Sequence, residues 1–378
     1  MRLLIIGGTG VLSTAVVAEA LIKGVSVTMI NRGNRASNIP DKVILIKSDC
    51  RDYDKIESHI QNQYYDAVID FLCYDEAQAK SSIEFYSKYA KQYIFISSAA
   101  VIDTRNSGVF NEDSPKVLPM WDYSVQKWEA EEFVRSFARE RRLIYTIIRP
   151  CVTYDDTRIP YGLSPRYGYH WTFVSRAKAG KPILTWNEGK NRCNMMRVED
   201  FAKGVVGLIS NEKAYNESFN ICGDEAPSFR QVIEAMESCL GFVFPKIDIP
   251  VSFMAEALPG RKGELYGRSF DAVHSNFKIK QIVPFFGQFV DLKEGVSKTI
   301  AAYKSNNFQR GIDWIYDAQC DYVIRRWCKM KGIDVSRYNL GFIDYLKSAS
   351  IRDRFLYYSV YWQDFTLVKA IKMLKRLF

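Results

Sequence analysis

Short runs of β-branched and aliphatic residues punctuate the first 150 positions. They fall at 2–6 (RLLII), 25–30 (VSVTMI), 43–47 (VILIK), 66–71 (DAVIDF), 93–97 (YIFIS) and 143–148 (LIYTII). Several are too continuous for a half-exposed sheet and read as strands buried on both faces. Helical patterns separate most of them: from the first glycine turn to Lys23, and at 54–62, 75–90 and 121–142. Strands alternating with helices predict an α/β fold, a Rossmann-type doubly wound parallel sheet.

After Pro150 the pattern loosens. A Pro/Gly/Tyr-rich loop at 154–169 leads into a mixed region with helical patterns at 199–211, 228–241 and 292–304. Residues 305–378 change again: they are rich in Trp, Tyr and Phe and contain no proline. The predicted organisation is a dinucleotide-binding core over 1–150, with later segments returning to it. A smaller mixed α/β substrate region over 151–304 is interleaved with that core, and a helical extension covers 305–378.

The first turn reads Gly7-Gly8-Thr9-Gly10-Val11-Leu12-Ser13. It follows a predicted strand and opens a predicted helix. Glycines there permit a tight turn and close approach of a pyrophosphate to a helix N-terminus. Gly7, Thr9, Gly10, Val11 and Leu12 are therefore candidate cofactor contacts. The second strand ends in Asn31-Arg32-Gly33-Asn34-Arg35. NAD-binding chains usually place an acid at this point to accept from the ribose hydroxyls. Asn31 stands there instead, followed by Arg32 and Arg35, and a guanidinium can fork onto a 2′-phosphate. The expectation is NADP(H) rather than NAD(H); the plainer reading is two arginines facing solvent. Asp49, after the third strand, is placed either at the adenine edge or as an ordinary turn acid.

Composition narrows the function classes. The 378 residues are 47% hydrophobic and 25% charged, ordinary globular values. Eight scattered cysteines form no CxxC pair and there are three histidines, so no metal site is expected. Reduced cysteines predict a cytoplasmic protein. The apolar start resembles a signal peptide, but glycines and threonines interrupt it. The net charge of +9 is uneven: residues 301–378 carry 14 Lys and Arg against 7 Asp and Glu, leaving 38 against 36 for residues 1–300. A nearly neutral body argues against DNA and makes RNA a poor partner.

One further stretch, Trp121-Asp122-Tyr123-Ser124-Val125-Gln126-Lys127, puts a tyrosine and a lysine four residues apart on one helix face. With GGTGVLS (7–13), FISSAAV (95–101), IIRPCVTY (147–154), RVEDFAKGV (197–205) and FNICGDEAPSF (219–229) in order, the chain resembles an extended short-chain dehydrogenase/reductase of the NAD-dependent epimerase/dehydratase family. The resemblance spans roughly residues 1–300. It implies a catalytic triad of Ser98, Tyr123 and Lys127, with Ser97 the competitor for Ser98's role. Tyr123 would carry the proton that accompanies a hydride, its pKa lowered by Lys127. Tyr123 and Lys127 would also hold the cofactor, together with Cys50, Phe71, Leu72, Pro150 and Val152.

Departures from the family pattern matter as much. Ala99-Ala100 stand where sugar 4,6-dehydratases carry an Asp-Glu pair, and alanine neither protonates a leaving hydroxyl nor removes a proton. Ala100 likewise replaces the cysteine of the deoxysugar epimerase/reductases, and His170 is an isolated loop histidine. What remains is a reductase or a 4-epimerase acting on a nucleotide-activated sugar in surface polysaccharide biosynthesis, as a homodimer. Arg192, or Arg197, is the candidate for the substrate's diphosphate, and either can equally pair with Glu199 or Asp200. The segments N-R-G, D-F-L-C-Y and V-P-x-x-x-x-x-V-x-L-K-E-G (283–295) also resemble a branch bordering chloroplast stem-loop RNA-binding proteins, so RNA binding without turnover is the alternative class. On a helical wheel, Lys369, Lys372, Lys375 and Arg376 share one arc of the final stretch and apolar residues fill much of the rest. Such a segment either lies on an anionic membrane face or docks on protein.

Overall fold

The computed structural model describes residues 1–34, 39–305, 311–341 and 343–365. Arg35 and the basic arc from Lys369 to Arg376 lie outside the described residues. The chain divides into two compact units, one of residues 1–155, 192–227 and 270–295, the other of 156–191, 228–269 and 296–378.

The first unit is built on β1 (Arg2–Ile6), β2 (Ser26–Asn31), β3 (Ile44–Lys47), β4 (Tyr65–Asp70), β5 (Ala90–Ile96), β6 (Ile144–Pro150) and β7 (Glu217–Ile221). All seven pair in parallel, in the order β7-β6-β5-β4-β1-β2-β3. Both faces are covered, as the continuous apolar runs require. Leu3, Ile5, Val27, Met29, Ile69 and Ile94 meet helix α1 (Val11–Ile22) and helix α5 (Val198–Leu208) through Val16, Ala20, Phe201 and Val205. The alternate residues Leu4, Ile6, Val68, Phe95 and Ile147 meet α2 (Tyr53–Ile60), α3 (Glu76–Tyr86) and α4 (Asp122–Arg141). Each such side chain contributes on the order of 1.5–3 kcal/mol by leaving water.

Two differences between sequence and structure concern the central sheet and its flanking helices. The helix expected over 75–90 stops at Tyr86, because Lys88 and Tyr89 turn back onto Phe85 and Tyr86 and the strand restarts at Ala90. β7 was not among the predicted strands: its core has only Phe219 and Ile221 as large apolar residues. It is held instead by register with β6 and by the Glu112 carboxylate, which accepts from the Asn220 N–H at 2.8 Å.

In the second unit, helices Thr172–Lys178 and Phe229–Leu240 accompany a two-stranded parallel ladder of Ile183–Thr185 and Lys246–Asp248. Ser228 and Gln231 cap the start of the longer helix reciprocally, and Gly241 ends it at φ +76°. Helix α6 (Trp314–Lys331) packs on α7 (Ile351–Tyr361) around Trp314, Ala318, Leu346, Tyr357 and Tyr361. At their junction lies a buried ionic quartet. Arg176 and Lys181 each contact both Asp317 and Asp321 at 2.5–2.7 Å, and all four side chains are excluded from water. The aromatic-rich extension is thus stitched to the 156–191 segment by charge as well as by apolar packing.

No described helix is long and apolar enough to cross a membrane.

Candidate active site

The strand order reverses between β4 and β1, and such switch points open a crevice at the C-terminal strand ends. The glycine turn lies there. Gly7 and Gly8 adopt φ +107° and +91°, which L side chains rarely tolerate. A Cβ on Gly7 would sit 3.3 Å from Leu72 and 3.5 Å from Phe71, so the turn and the end of β4 form a close-walled cradle. Gly10, in extended backbone, is the N-cap of α1, and its N–H is taken by the Ser13 hydroxyl at 2.9 Å. The first turn of α1 carries no acid. Val11 and Leu12 therefore begin a helix whose positive end is unneutralised, an arrangement that fits a dinucleotide pyrophosphate.

At the end of β2, Asn31 is buried and committed to the turn. Its amide donates to the Gly7 carbonyl and the Thr9 hydroxyl, and its carbonyl accepts from Gly33 N–H at 2.6 Å. Arg32 is exposed. Lys47, which pairs with Asn31 in the ladder, lays its aliphatic chain across Gly33, where an added Cβ would meet it at 2.8 Å. Lys47 was missed in the sequence because it ends a different strand; only the β2–β3 register brings it beside Asn31 and Gly33. Asp49 is exposed and accepts from the Arg51 N–H, a turn acid's contact. The Cys50 carbonyl accepts from the Tyr86 hydroxyl. Pro150 ends β6, and Val152 begins a short strand paired with Met195–Arg197.

Ser98 follows β5 and caps the 3₁₀ turn Ala99–Val101, its hydroxyl oxygen accepting from Ala100 N–H at 3.2 Å. That leaves its own proton to donate elsewhere. Ser97 is buried, whereas Ser98 is half-buried, which separates the two hydroxyls by access. The 3₁₀ turn packs against α4, whose first turns carry Tyr123 and Lys127. Tyr123 is half-buried, its ring 5.5 Å from that of Trp121. Lys127 is buried. Its ammonium donates to the Cys73 carbonyl at 2.5 Å and the Ile96 carbonyl at 2.9 Å, with the rings of Tyr74 and Phe95 about it. Among the described residues no carboxylate is ion-paired with it. Burial lowers its pKa to about 8 despite the partly opposing pull of Cys73, Asp70 and Glu131.

Two residues outside the predicted set hold α4 in place. Glu131, one turn beyond Lys127, is forked by Arg149 of β6 at 2.9 and 2.6 Å, with both side chains buried, and Arg135 adds a third contact. Burial pushes the Glu131 carboxyl up, but the Arg149 guanidinium outweighs it and holds the acid below its usual range. The available signal was the Tyr-Lys-Glu spacing of four and four, which places all three on one helix face.

The substrate-side candidates fare unevenly. Arg192 is exposed and donates to the Ala226 carbonyl. Arg197 is buried and forked onto Glu199 at 3.0 and 2.6 Å, so its guanidinium is already engaged. His170 accepts from the Ile159 N–H through Nδ1, and burial, with Arg158, drops its pKa to about 3, which makes it a structural acceptor. Among the described residues no group of three or more His, Cys, Asp and Glu is placed to hold a metal.

Comparison with known proteins places this arrangement. The chloroplast stem-loop binding protein of 41 kDa b from Arabidopsis thaliana is 27% identical over 259 residues, which make up 65% of each chain. The present chain thus spans under two thirds of that relative's length. The 2′-dehydrokanamycin reductase of Streptomyces kanamyceticus is 22% identical over 258 residues, covering 68% of this chain and 72% of the reductase. The UDP-glucose 4-epimerase of Thermotoga maritima, solved with UDP-glucose, superposes with a TM-score of 0.65 at 20% identity, over 81% of this chain and all of that one. Residues 3–222 match the profile of the NAD-dependent epimerase/dehydratase family. The chain belongs to that family.

Proposed function

We propose that the protein is an NADP(H)-dependent reductase or epimerase working at one carbinol or keto carbon of a nucleotide-activated sugar. The observation that carries this reading is Lys127, a buried ammonium that donates to two main-chain carbonyls and is ion-paired with no carboxylate among the described residues. An uncompensated buried cation is costly and is retained where its charge is used. Here it sits one turn from Tyr123. A phenol loses its proton near pH 10, too high for neutral chemistry, and a neighbouring ammonium lowers that value.

In the reductive direction the Tyr123 hydroxyl gives its proton to the substrate oxygen, and Ser98 donates a hydrogen bond to the same oxygen. In the oxidative direction Tyr123 takes the proton back. When bound, a nicotinamide would supply the hydride in one direction and receive it in the other. Two of the three Lys127 protons go to carbonyls, which leaves the third for a ribose hydroxyl of the cofactor. Tyr123→Phe should retain cofactor binding and lose roughly 10²–10⁴-fold in turnover; turnover within a fewfold of wild type would sink the assignment.

The cofactor preference rests on β2 and β3. Asn31 offers no carboxylate to ribose hydroxyls, and Arg32 and Lys47 supply two cations beside it. The expectation is tighter binding of NADPH than NADH, reversed or abolished in Arg32→Ala/Lys47→Ala. Tighter NADH binding by the unaltered protein would refute it.

Ala99 and Ala100 stand against dehydration, and the 2′-dehydrokanamycin reductase relative supports a ketone as one substrate form. An NAD-retaining 4-epimerase is the second enzymatic reading. It predicts cofactor that stays with the purified protein. RNA binding enters through the stem-loop binding relative. RNA binding needs a basic surface, yet residues 1–300 carry 38 Lys and Arg against 36 Asp and Glu, and Lys203, Lys278 and Lys280 of the first unit are paired with Asp200, Glu217 and Asp224. That weighs toward the enzyme.

A further inference from the structure

Among the described residues Lys127 is ion-paired with no carboxylate, but a buried acid lies behind the main chain that holds it. Asp70 is the last residue of β4 and is 2% exposed. It stands in register with Ile6 of β1 and Phe95 of β5. Its Oδ1 accepts from the Leu72 N–H at 2.7 Å. Its Oδ2 accepts from the Ser82 hydroxyl of α3 at 2.5 Å and from the Tyr93 hydroxyl of β5 at 3.2 Å. Three donors converge on one carboxyl group, which suits its ionised, acceptor-only form. A buried charge is costly unless an opposite charge stands near it. Arg51 shares a small cleft with Asp70 but is itself exposed, whereas Lys127 is buried.

Two short stretches of chain join the acid to the lysine. From Asp70 the main chain runs three residues to Cys73, whose carbonyl takes the Lys127 ammonium at 2.5 Å, and the Leu72 N–H bond fixes the bend between them. On β5, Tyr93 reaches Asp70 while the Ile96 carbonyl takes Lys127 at 2.9 Å. Phe71 and Leu72 also wall the glycine turn at Gly7. Asparagine at position 70 could accept from the Leu72 N–H as well, so only the charge sets aspartate apart there.

We propose that Asp70 is a positioning residue for Lys127, an ionised carboxylate that keeps the lysine charged and fixes the carbonyl that holds it. This rests on the reading of Lys127 as the cation acting on Tyr123. The other groups facing Lys127 are committed elsewhere or neutral. Glu131, on the same helix, is forked by Arg149. Asp75 caps α3, accepting from the Gln78 N–H at 2.8 Å. Burial pushes the Cys73 thiol and the Tyr74 phenol up and keeps both protonated. Around Asp70, burial does the same to Cys50, Tyr53 and Tyr86. Burial also raises the Asp70 carboxyl, against the pull of Ser82, the Leu72 N–H, Lys127 and Tyr93.

The test is an NMR titration of the full chain, isotope-labelled at lysine Cε, with no substrate present. The Lys127 signal is the one lost in Lys127→Arg. In the unaltered protein it should titrate at about 8. Asp70→Asn should lower that midpoint by about one pH unit or more. Tyr93→Phe, which removes a contact but no charge, should leave it in place. The thermal midpoint serves as the folding control. If Asp70→Asn does not fold, Lys127→Met decides from the other side: it should raise the pH at which the Asp70 carboxyl titrates, read in protein labelled at the aspartate carboxyl. An unchanged Lys127 midpoint in Asp70→Asn overturns the proposal, as does an equal drop in Tyr93→Phe, which would mark loosened packing. In the reciprocal experiment an unchanged Asp70 titration overturns it. These titrations need no turnover, so their outcome is separate from that of Tyr123→Phe. In the active enzyme Asp70→Asn should also move the alkaline decline of kcat/KM to lower pH.

Discussion

Replacing Asp321 with asparagine probes the buried quartet with almost no change in volume. In the native structure two cations, Arg176 and Lys181, face two carboxylates, Asp317 and Asp321, and the group is neutral. Asp321 meets Lys181 at 2.6 Å and Arg176 at 2.5 Å, the latter an ion-pair contact not aligned as a hydrogen bond. It also accepts from the Tyr357 hydroxyl and the Gly341 N–H. The substitution leaves one positive charge uncompensated in a site closed to water. Removing one partner of a buried pair typically costs about 3–5 kcal/mol. The loss should therefore lie between about 3 and 5 kcal/mol, and lower the second unit's thermal midpoint by roughly 6–20 °C. Urea unfolding followed by tryptophan fluorescence reads it directly, since Trp314 sits in the same packed cluster. The pH dependence adds a check. Burial raises the Asp321 pKa, but Arg176 and Lys181 together hold it below the usual carboxylate range. A depressed acid stabilises the fold above its unfolded pKa, near 4, and loses that contribution as pH falls through the folded value. The gap between wild type and Asp321→Asn should thus persist at neutral pH and close below about pH 4. A loss under about 1 kcal/mol at pH 7 would refute the idea that two ionised carboxylates are needed there.

Two other outcomes follow from the first unit. With the Lys127 pKa at about 8, kcat/KM should decline above that pH as the ammonium is lost, and Lys127→Arg should move the decline out of range. Stability should run the other way, because the unfolded lysine keeps its proton to about pH 10.4, so the cost of burying the charge is relieved as pH rises between these values. Gly8→Ala should cost about 1–3 kcal/mol and weaken NADPH binding, since φ +91° is strained for alanine and its Cβ would meet buried Met29 at 2.5 Å. Unchanged affinity and stability in titration and melting experiments would show that the turn relaxes freely.

The Rossmann half was legible because its signals are local. Continuous apolar runs, a glycine turn and the Tyr-Lys spacing each depend on neighbours within a few residues, and six of the seven sheet strands followed from them. β7 did not, since its stability comes from pairing with β6 and from Glu112, more than a hundred residues away. The same holds for Lys47 beside Asn31 and Gly33, and for Glu131 of helix α4, whose partner Arg149 belongs to β6. Arg197 shows the converse: as a cation near the expected diphosphate it was a fair candidate, and only the folded chain reveals its fork onto Glu199.

Sequence alone determined the alternation of strand and helix, the position of the dinucleotide turn, the absence of an acid at Asn31 and the residue types at Ser98, Tyr123 and Lys127. These are properties of short stretches, written in periodicity and spacing. Tertiary structure alone decided that Lys127 is buried with its ammonium on main-chain carbonyls, that His170 is a structural acceptor, and that the aromatic extension is locked to Arg176 and Lys181. Burial and charge pairing depend on which distant segments meet, and a one-dimensional pattern does not contain that distance.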